Sequence, residues 1–249
     1  MNNKKKLLIP FFTAGNPELT STTQLIELLN EYSDYIEVGL PHSDALADGP
    51  VIQAASHRAL NNGMNIEVLF EQLKNHKIKH KNNLVLFSYL NPILRFGQQR
   101  VCKEWKELGG KAILVPDLPL EEAEDLKNLC ERNGLSLIFL VAPTSTPERI
   151  KRITELSKEF IYLVSVTGVT GVRGKVEQNL QQIVQQIRQT NPSIPVVIGF
   201  GISSPESAQA AINQGADGVV IGSALVKLFE ENKFSQAKEL LKSIKNTIN

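Results

Sequence analysis

The chain has 249 residues and a mass of 27.6 kDa, which suits one large barrel or two small domains. Hydrophobic residues make up 42% and charged residues 21%, so intrinsic disorder and a disulfide scaffold are both excluded. A net charge of +1 gives no basic face for nucleic acid, and no apolar run approaches the roughly 18 residues that span a bilayer. We therefore expect neither a nucleic-acid nor a membrane partner.

Two observations bear on the compartment. Cys102 and Cys130 lie in predicted helices without Cys-x-x-Cys spacing, which favours reduced core thiols over a disulfide or metal pair. The start of the chain, KKKLLIPFF, has too short an apolar run for a signal peptide and is better interpreted as a first strand. Together they predict a cytoplasmic protein, or one of the plastid stroma if it is organellar.

Short β-rich segments alternate with segments of helical periodicity along the whole chain. The alternation predicts an α/β fold, a single (β/α)8 TIM barrel spanning residues 1–249 as one domain. An open doubly wound sheet is the alternative, and it is disfavoured because no Gly-x-Gly-x-x-Gly follows the first strand. The eight predicted strands are 7–12, 35–40, 84–89, 112–115, 135–141, 160–166, 195–198 and 218–221.

Helix boundaries and long intervals complete the pattern. Extra chain between strands two and three and between strands six and seven predicts two long βα loops at the catalytic face, 41–50 and 167–175. We interpret them as mobile lids rather than plain surface excursions.

Three pairs of a capping residue and a first-turn proline predict helix starts: Asn16-Pro17, Thr146-Pro147 and Ser204-Pro205. Three glycines predict helix ends: Gly109, Gly134 and Gly215.

Glu37 is the most informative residue of the chain. In 36–40 the large aliphatic residues alternate, so they share the face that packs on the helices and Glu37 shares the barrel interior with Gly39. A carboxylate buried there costs several kcal/mol unless it is paired or protonated, and its own strand carries no basic residue. The position predicts a catalytic acid and base. A structural acid paired with another strand is the alternative.

Asp48 lies in the first predicted loop, eleven residues after Glu37. Alone, Asp-Gly-Pro is a turn signal. With Glu37 it is a candidate second carboxylate, because two carboxyl groups in different environments can hold different pKa values and divide acid and base roles.

Glycines after the last two strands predict a phosphate site. Gly201 follows strand seven, Gly222 and Ser223 follow strand eight, and Gly171 in the second long loop could add a donor. Free N–H groups at helix starts bind phosphate, and these loops are the usual phosphate seat of (β/α)8 barrels. The alternative is that the glycines only permit tight turns.

The sequence lacks the residues that several other kinds of catalysis require. Only Lys175 comes near the position of a Schiff-base lysine, the histidines show no metal-ligand spacing, and there is no Gly-x-Ser-x-Gly. Two carboxylates and a phosphate cradle remain. They indicate proton transfer on a phosphorylated small molecule, with no metal and no cofactor.

Five segments in order and spacing resemble motifs of the tryptophan synthase alpha subunit family: 9–17, 36–50 (IEVGLPHSDALADGP), 168–171, 199–203 and 222–224. The resemblance covers nearly the whole chain. It implies retro-aldol cleavage of indole-3-glycerol phosphate to indole and D-glyceraldehyde 3-phosphate. It also implies that indole passes to a beta subunit carrying pyridoxal phosphate, in an assembly of two alpha and two beta chains, and that this chain needs no cofactor.

The resemblance also assigns roles. Glu37 would deliver and remove the two protons, Asp48 would bind the indole N–H, and Thr170 would help position the Asp48 loop. The residues matching positions near the indole pocket are Phe11, Phe87, Tyr89, Tyr162 and Phe200, for which core packing is the alternative. Those matching the phosphate site are Gly171, Gly201, Gly222 and Ser223.

Departures from the family pattern touch the first loop and the start of the chain. His42 stands where the family often has phenylalanine and Ala45 where it usually has proline, and few residues precede the first strand. We expect a looser loop and no helix plugging the barrel bottom. We also expect a slow monomer when the chain is alone, cleavable by protease at Arg173 or Lys175. A stand-alone indole-glycerol-phosphate lyase, another phosphosugar isomerase or epimerase, and a non-catalytic regulatory subunit remain open as alternatives.

Overall fold

Eight parallel strands close into a barrel in chain order, each pairing with the next and the last with the first. The computed structural model describes residues 5–76, 83–164, 173–199 and 201–249, without the side chains of 173–179. The predicted (β/α)8 fold is confirmed. The strands are β1 Leu7–Thr13, β2 Ile36–Gly39, β3 Leu84–Phe87, β4 Gly110–Leu114, β5 Ser136–Val141, β6 Ile161–Val164, β7 Val196–Gly199 and β8 Gly218–Ile221.

Helices surround the barrel, and a short 3-10 helix, Leu120–Glu122, follows β4. The described helices are α1 Ser21–Asn30, α2 Pro50–Asn61, α3 Ile66–His76, α4 Leu90–Phe96, α5 Gln98–Glu107, α6 Glu124–Arg132, α7 Pro147–Leu156, α8 Arg173–Thr190, α9 Pro205–Asn213, α10 Ser223–Glu230 and α11 Phe234–Ile248.

Alternation along the strands divides the core into two layers, because successive side chains of a strand point to opposite faces. Ile36 and Val38 belong to the layer between strands and helices. Glu37 takes the intervening position, and its register neighbours Phe11 on β1 and Val85 on β3 belong to the inner layer. The predicted placement of Glu37 in the barrel interior is therefore confirmed.

The long interval after β2 contains more than a loop. It holds the 12-residue helix α2 and then α3, so the first predicted loop ends at Gly49 and accounts for only part of the extra chain. Arg58 of α2 donates to Asn16 Oδ1 at 3.1 Å and forms an ion pair with Glu230. These contacts tie α2 to the segment after β1 and to α10.

Two other sequence predictions need correction. Asn16-Pro17 does not start a helix, since α1 begins at Ser21 with Thr20 as its N-cap. The backbone at Arg173 and Lys175 is helical, because α8 begins at Arg173, so these residues are not in a loop. The rest of the second predicted loop, 167–172, lies outside the described residues, as do residues 1–4.

The other helix boundaries are confirmed. Thr146 and Ser204 cap α7 and α9, each followed by its proline. Gly109, Gly134 and Gly215 follow helix ends with φ of 87°, 67° and 94°, the left-handed conformation that glycine adopts without strain.

The two cysteines are free thiols in the core, as predicted. Cys102 on α5 and Cys130 on α6 are both buried, with their Sγ atoms 3.8 Å apart. Within the described residues, no helix is long and apolar enough to cross a membrane.

Candidate active site

Glu37 is a buried acid inside the barrel. Its side chain is 1% exposed, and its Oε1 atom has no hydrogen-bond partner among the described residues. Burial raises the pKa of Glu37 to about 8, and the nearby charge of Asp48 adds to the effect. The ion pairs of the described residues do not include Glu37, so the alternative of a structurally paired acid finds no partner there. The carboxyl group is therefore largely protonated at neutral pH.

Asp48 enters the same site from the end of the first loop. It directly precedes Gly49, the N-cap of α2, and Pro50 begins the helix with the fixed φ that a first turn requires. Burial raises the pKa of Asp48 to about 6, and a hydrogen bond donated by Tyr89 to Oδ2 at 3.1 Å opposes that rise. Asp48 is therefore largely ionised at neutral pH, where Glu37 is not.

Tyr89 supports the first loop rather than lining the cavity. Its hydroxyl accepts a hydrogen bond from the Ala47 N–H at 2.9 Å while it donates to Asp48. The imidazole of His42 stacks on the phenol ring, with centroids 4.9 Å apart and planes 27° apart. The resemblance implies that Tyr89 lies near an indole pocket; in the structure Tyr89 contacts Ala47 and Asp48 instead and is not among the residues that line the cavity.

A cavity of about 300 Å³ opens at the carboxyl ends of the strands, where (β/α)8 barrels hold their active sites. Phe11 and Phe87 form part of its wall, packed edge to face with centroids 5.4 Å apart. The ring of Phe11 also occupies the space beside Gly39, where a Cβ atom would lie 2.5 Å from it. The residues lining the cavity are Phe11, Glu37, Asp48, Gly49, Ile52, Phe87, Tyr162, Gly201, Ile202, Ser203, Val220, Gly222, Ser223 and Ala224.

The two helix starts beside the cavity differ in their hydrogen bonding. At α9, Ser204 and Ser207 form a reciprocal capping box, and the Ser207 hydroxyl also accepts from the Ser203 N–H. At α10, Gly222 is the N-cap and no side chain caps the helix. Free N–H groups at a helix start attract anions, and those of α10 have no side-chain cap to compete with an anion.

The whole chain matches one protein family. The family model described as tryptophan synthase alpha chain matches residues 1–248. A tryptophan synthase alpha chain of Microcystis aeruginosa is 46% identical over 97% of this chain and 93% of its own length. One of Arabidopsis thaliana is 43% identical over 98% and 90%.

Solved structures agree. Tryptophan synthase subunit alpha from Campylobacter jejuni superposes with a TM-score of 0.87 at 34% identity, over 97% of this chain and 96% of that one. A chain of the tryptophan synthase complex from Pyrococcus furiosus gives 0.83 at 35%, over 98% of each. The chain belongs to the tryptophan synthase alpha chain family. It is therefore an enzyme of tryptophan biosynthesis, with lyase-type chemistry.

Eight of the site residues expected from the resemblance to the alpha chain family line the cavity together: Phe11, Glu37, Asp48, Phe87, Tyr162, Gly201, Gly222 and Ser223. Thr170, Gly171 and Phe200 lie outside the described residues, so their predicted roles stay predictions.

Sequence reasoning missed other lining residues. Val220 could have been found, because it alternates inward in the predicted strand 218–221. Gly49 and Ile52 could have been predicted only if the Gly49-Pro50 pair had been recognised as the start of α2. Ile202, Ser203 and Ala224 are adjacent to residues that were found, and no separate signal marks them.

Proposed function

We propose that this chain cleaves indole-3-glycerol phosphate to indole and D-glyceraldehyde 3-phosphate by a retro-aldol reaction. The observation that carries the proposal is the pair of carboxyl groups in one cavity, with the pKa of Glu37 near 8 and that of Asp48 near 6. Such a pair provides a neutral acid and an anion side by side at neutral pH.

Glu37 performs both proton transfers. Its protonated carboxyl group delivers a proton to the indole carbon that bears the glycerol side chain, which leaves positive charge at the ring nitrogen. The resulting carboxylate then removes the proton of the adjacent side-chain hydroxyl. As that hydroxyl becomes the aldehyde of the second product, the carbon–carbon bond breaks and its electron pair restores neutral indole. Glu37 ends protonated, so the cycle is balanced.

Asp48 stabilises the charge formed between these steps. Its carboxylate accepts a hydrogen bond from the indole N–H, and that bond strengthens as the nitrogen becomes cationic. The Tyr89 hydroxyl and the Ala47 N–H fix the loop that carries it. Because the interaction grows in the transition state, it lowers the barrier rather than only binding substrate.

The remaining lining residues suit the two ends of this substrate. Phe11, Phe87 and Tyr162 provide flat apolar surface for the indole ring. Gly222 and Ser223 at the start of α10 would bind the phosphate through backbone N–H groups, with Gly201 beside them. We retain Gly171 as a further phosphate contact, and Thr170 and Phe200 as further substrate contacts, in the same proposal.

Indole is proposed to pass to a tryptophan synthase beta subunit that carries pyridoxal phosphate, while this chain carries no cofactor. Two large apolar side chains are exposed at the rim after β2 and β3: Leu46 in the first loop is 89% exposed, and Leu94 on α4 is 53% exposed. We assign both residues to the surface that contacts the beta subunit, because burying them in an interface would remove apolar area from water. An assembly of two alpha and two beta chains, in the cytoplasm or the plastid stroma, is part of the proposal.

The test offers indole-3-glycerol phosphate to the chain with and without a beta subunit and measures released indole. We expect slow release by the chain alone and faster release with the beta subunit. Consumption of substrate without indole would indicate an isomerase or epimerase. If the rate of indole release were the same with and without the beta subunit, the chain would be a stand-alone lyase.

A further inference from the structure

His42 contacts the catalytic machinery without lining the cavity. Its imidazole stacks on Tyr89, and the Tyr89 hydroxyl bonds both the Ala47 N–H and the Asp48 carboxylate. His42 and Asp48 belong to the same loop, while Tyr89 is the N-cap of α4 on the next strand–helix unit. The stack is thus a side-chain contact between the loop and the element that supports it.

The geometry gives the stack a specific effect. Tyr89 is buried, and the His42 imidazole covers one face of its ring with the two planes 27° apart, so the stack restricts rotation and tilt of the phenol. The hydroxyl must keep two partners at once, an amide at 2.9 Å and a carboxylate oxygen at 3.1 Å. Hydrogen bonds weaken steeply with misalignment, so small rotations of the ring would weaken the bond to Asp48.

Other acidic groups of this rim have partners of their own. Asp44 accepts from the Ser43 hydroxyl at 2.7 Å, and Asp117, which follows β4, accepts from the Leu90 N–H at 2.9 Å. Among these three carboxylates, Asp48 is the one that accepts a hydrogen bond from the Tyr89 hydroxyl.

We propose that His42 is a positioning residue for Asp48, which it orients through the ring of Tyr89. The expected effect of His42 on turnover rests on the proposed function. The expected effect of His42 on the hydrogen bonding of Asp48 is independent of that function, because the three side chains interact in the protein without substrate.

Kinetics test the proposal with four variants. His42→Ala removes the stacking ring, His42→Phe keeps an aromatic ring, Tyr89→Phe removes the hydroxyl, and the fourth combines His42→Ala with Tyr89→Phe. A hydrogen bond to a charged group contributes enough for us to expect a fall in kcat of about tenfold for His42→Ala and for Tyr89→Phe. We expect KM to stay within about twofold, His42→Phe to restore kcat, and the double variant to match the more impaired single variant. His57→Gln, on the exposed face of α2, is the matched control.

A second measurement needs no substrate. The Asp48 carboxyl carbon is followed by NMR as a function of pH. Because the Tyr89 hydrogen bond holds the pKa of Asp48 down, Tyr89→Phe raises its midpoint above about 6. The proposal requires His42→Ala to raise it as well and His42→Phe to leave it in place.

An unchanged Asp48 midpoint in His42→Ala would overturn the proposal, and so would additive losses of kcat in the double variant. If the midpoints move as expected but no variant, nor the wild type, releases indole, the proposed function fails while the positioning role stands.

Discussion

Glu37 and Asp48 face one cavity, and of the two carboxyl groups only Asp48 accepts a hydrogen bond from the Tyr89 hydroxyl. Burial raises the pKa of both carboxyl groups, but Asp48 receives a hydrogen bond from Tyr89, whereas Oε1 of Glu37 receives none from the described residues. The pKa values of about 8 and about 6 enclose neutral pH. The arrangement is therefore poised for a reaction that needs one neutral and one ionised carboxyl group.

The pH profile of kcat/KM is expected to be bell-shaped. Activity rises as Asp48 ionises near pH 6 and falls as Glu37 loses its proton near pH 8. Initial rates of indole release between pH 5 and pH 9.5 would measure both limbs. A flat profile between pH 6 and pH 9 would contradict the assignment of the two carboxyl groups.

Glu37→Gln is expected to abolish turnover while preserving the fold and substrate binding. A general acid or base typically contributes 10² to 10⁴-fold, and Glu37 serves two steps, so we expect a loss at or beyond the upper end of that range. Asp48→Asn provides the comparison, with a severe loss of kcat and a mild effect on KM. Activity within about tenfold of the wild type for Glu37→Gln, or a change confined to KM for Asp48→Asn, would refute these roles.

Glu37→Gln is also expected to change stability with pH. Folding raises the pKa of Glu37 from its unfolded value near 4.5 to about 8, so the folded state binds the proton more tightly. The wild type therefore loses stability as pH rises from about 4.5 to 8, and Glu37→Gln removes this loss. Chemical denaturation at pH 5 and pH 8.5 checks it: the variant should gain on the wild type at the higher pH. An equal difference at both pH values would contradict the burial of an uncompensated acid.

Gly222 offers a graded test of the phosphate seat. A Cβ atom at Gly222 would lie 3.5 Å from Phe11 and 3.6 Å from Ile52, an ordinary contact, so Gly222→Ala should fold and bind with modest loss. The larger side chain of Gly222→Val should block access to the helix start and weaken binding further, while Ser223→Ala should do less. Thermal shifts with glycerol phosphate measure the series. If glycerol phosphate stabilised all three variants as much as it stabilises the wild type, the start of α10 would be excluded as the phosphate site.

Leu46→Asp and Leu94→Asp are expected to weaken binding of a beta subunit. Each substitution replaces an apolar side chain with a charged one at a position that, in our proposal, is buried in the interface. We therefore expect each to lower the affinity about tenfold or more. Indole release by the chain alone should stay unchanged for Leu94→Asp. Lys238→Asp on α11 is the control, and titration calorimetry is the measurement. Unchanged affinity in both leucine variants would place the partner elsewhere.

Local sequence signals were sufficient for the barrel and for the placement of Glu37 in its interior. Alternation alone placed Glu37 inside, and proline after a capping residue located the starts of α7 and α9. The same rule failed at Asn16-Pro17, where the chain makes further turns before α1. The bond between Tyr89 and Asp48 joins residues 41 apart, and closure of the barrel, not periodicity, brings them together.

The contrast between α9 and α10 has a consequence for the protein before it meets its substrate. Serine side chains cap the first turn of α9, whereas no side chain caps the first turn of α10. A bound phosphate would act as the missing cap of α10. Part of the binding free energy of the substrate would then stabilise the first turn of α10, so amide hydrogen exchange at Ser223 and Ala224 should slow when glycerol phosphate binds. A substrate without its phosphate would leave that turn fraying.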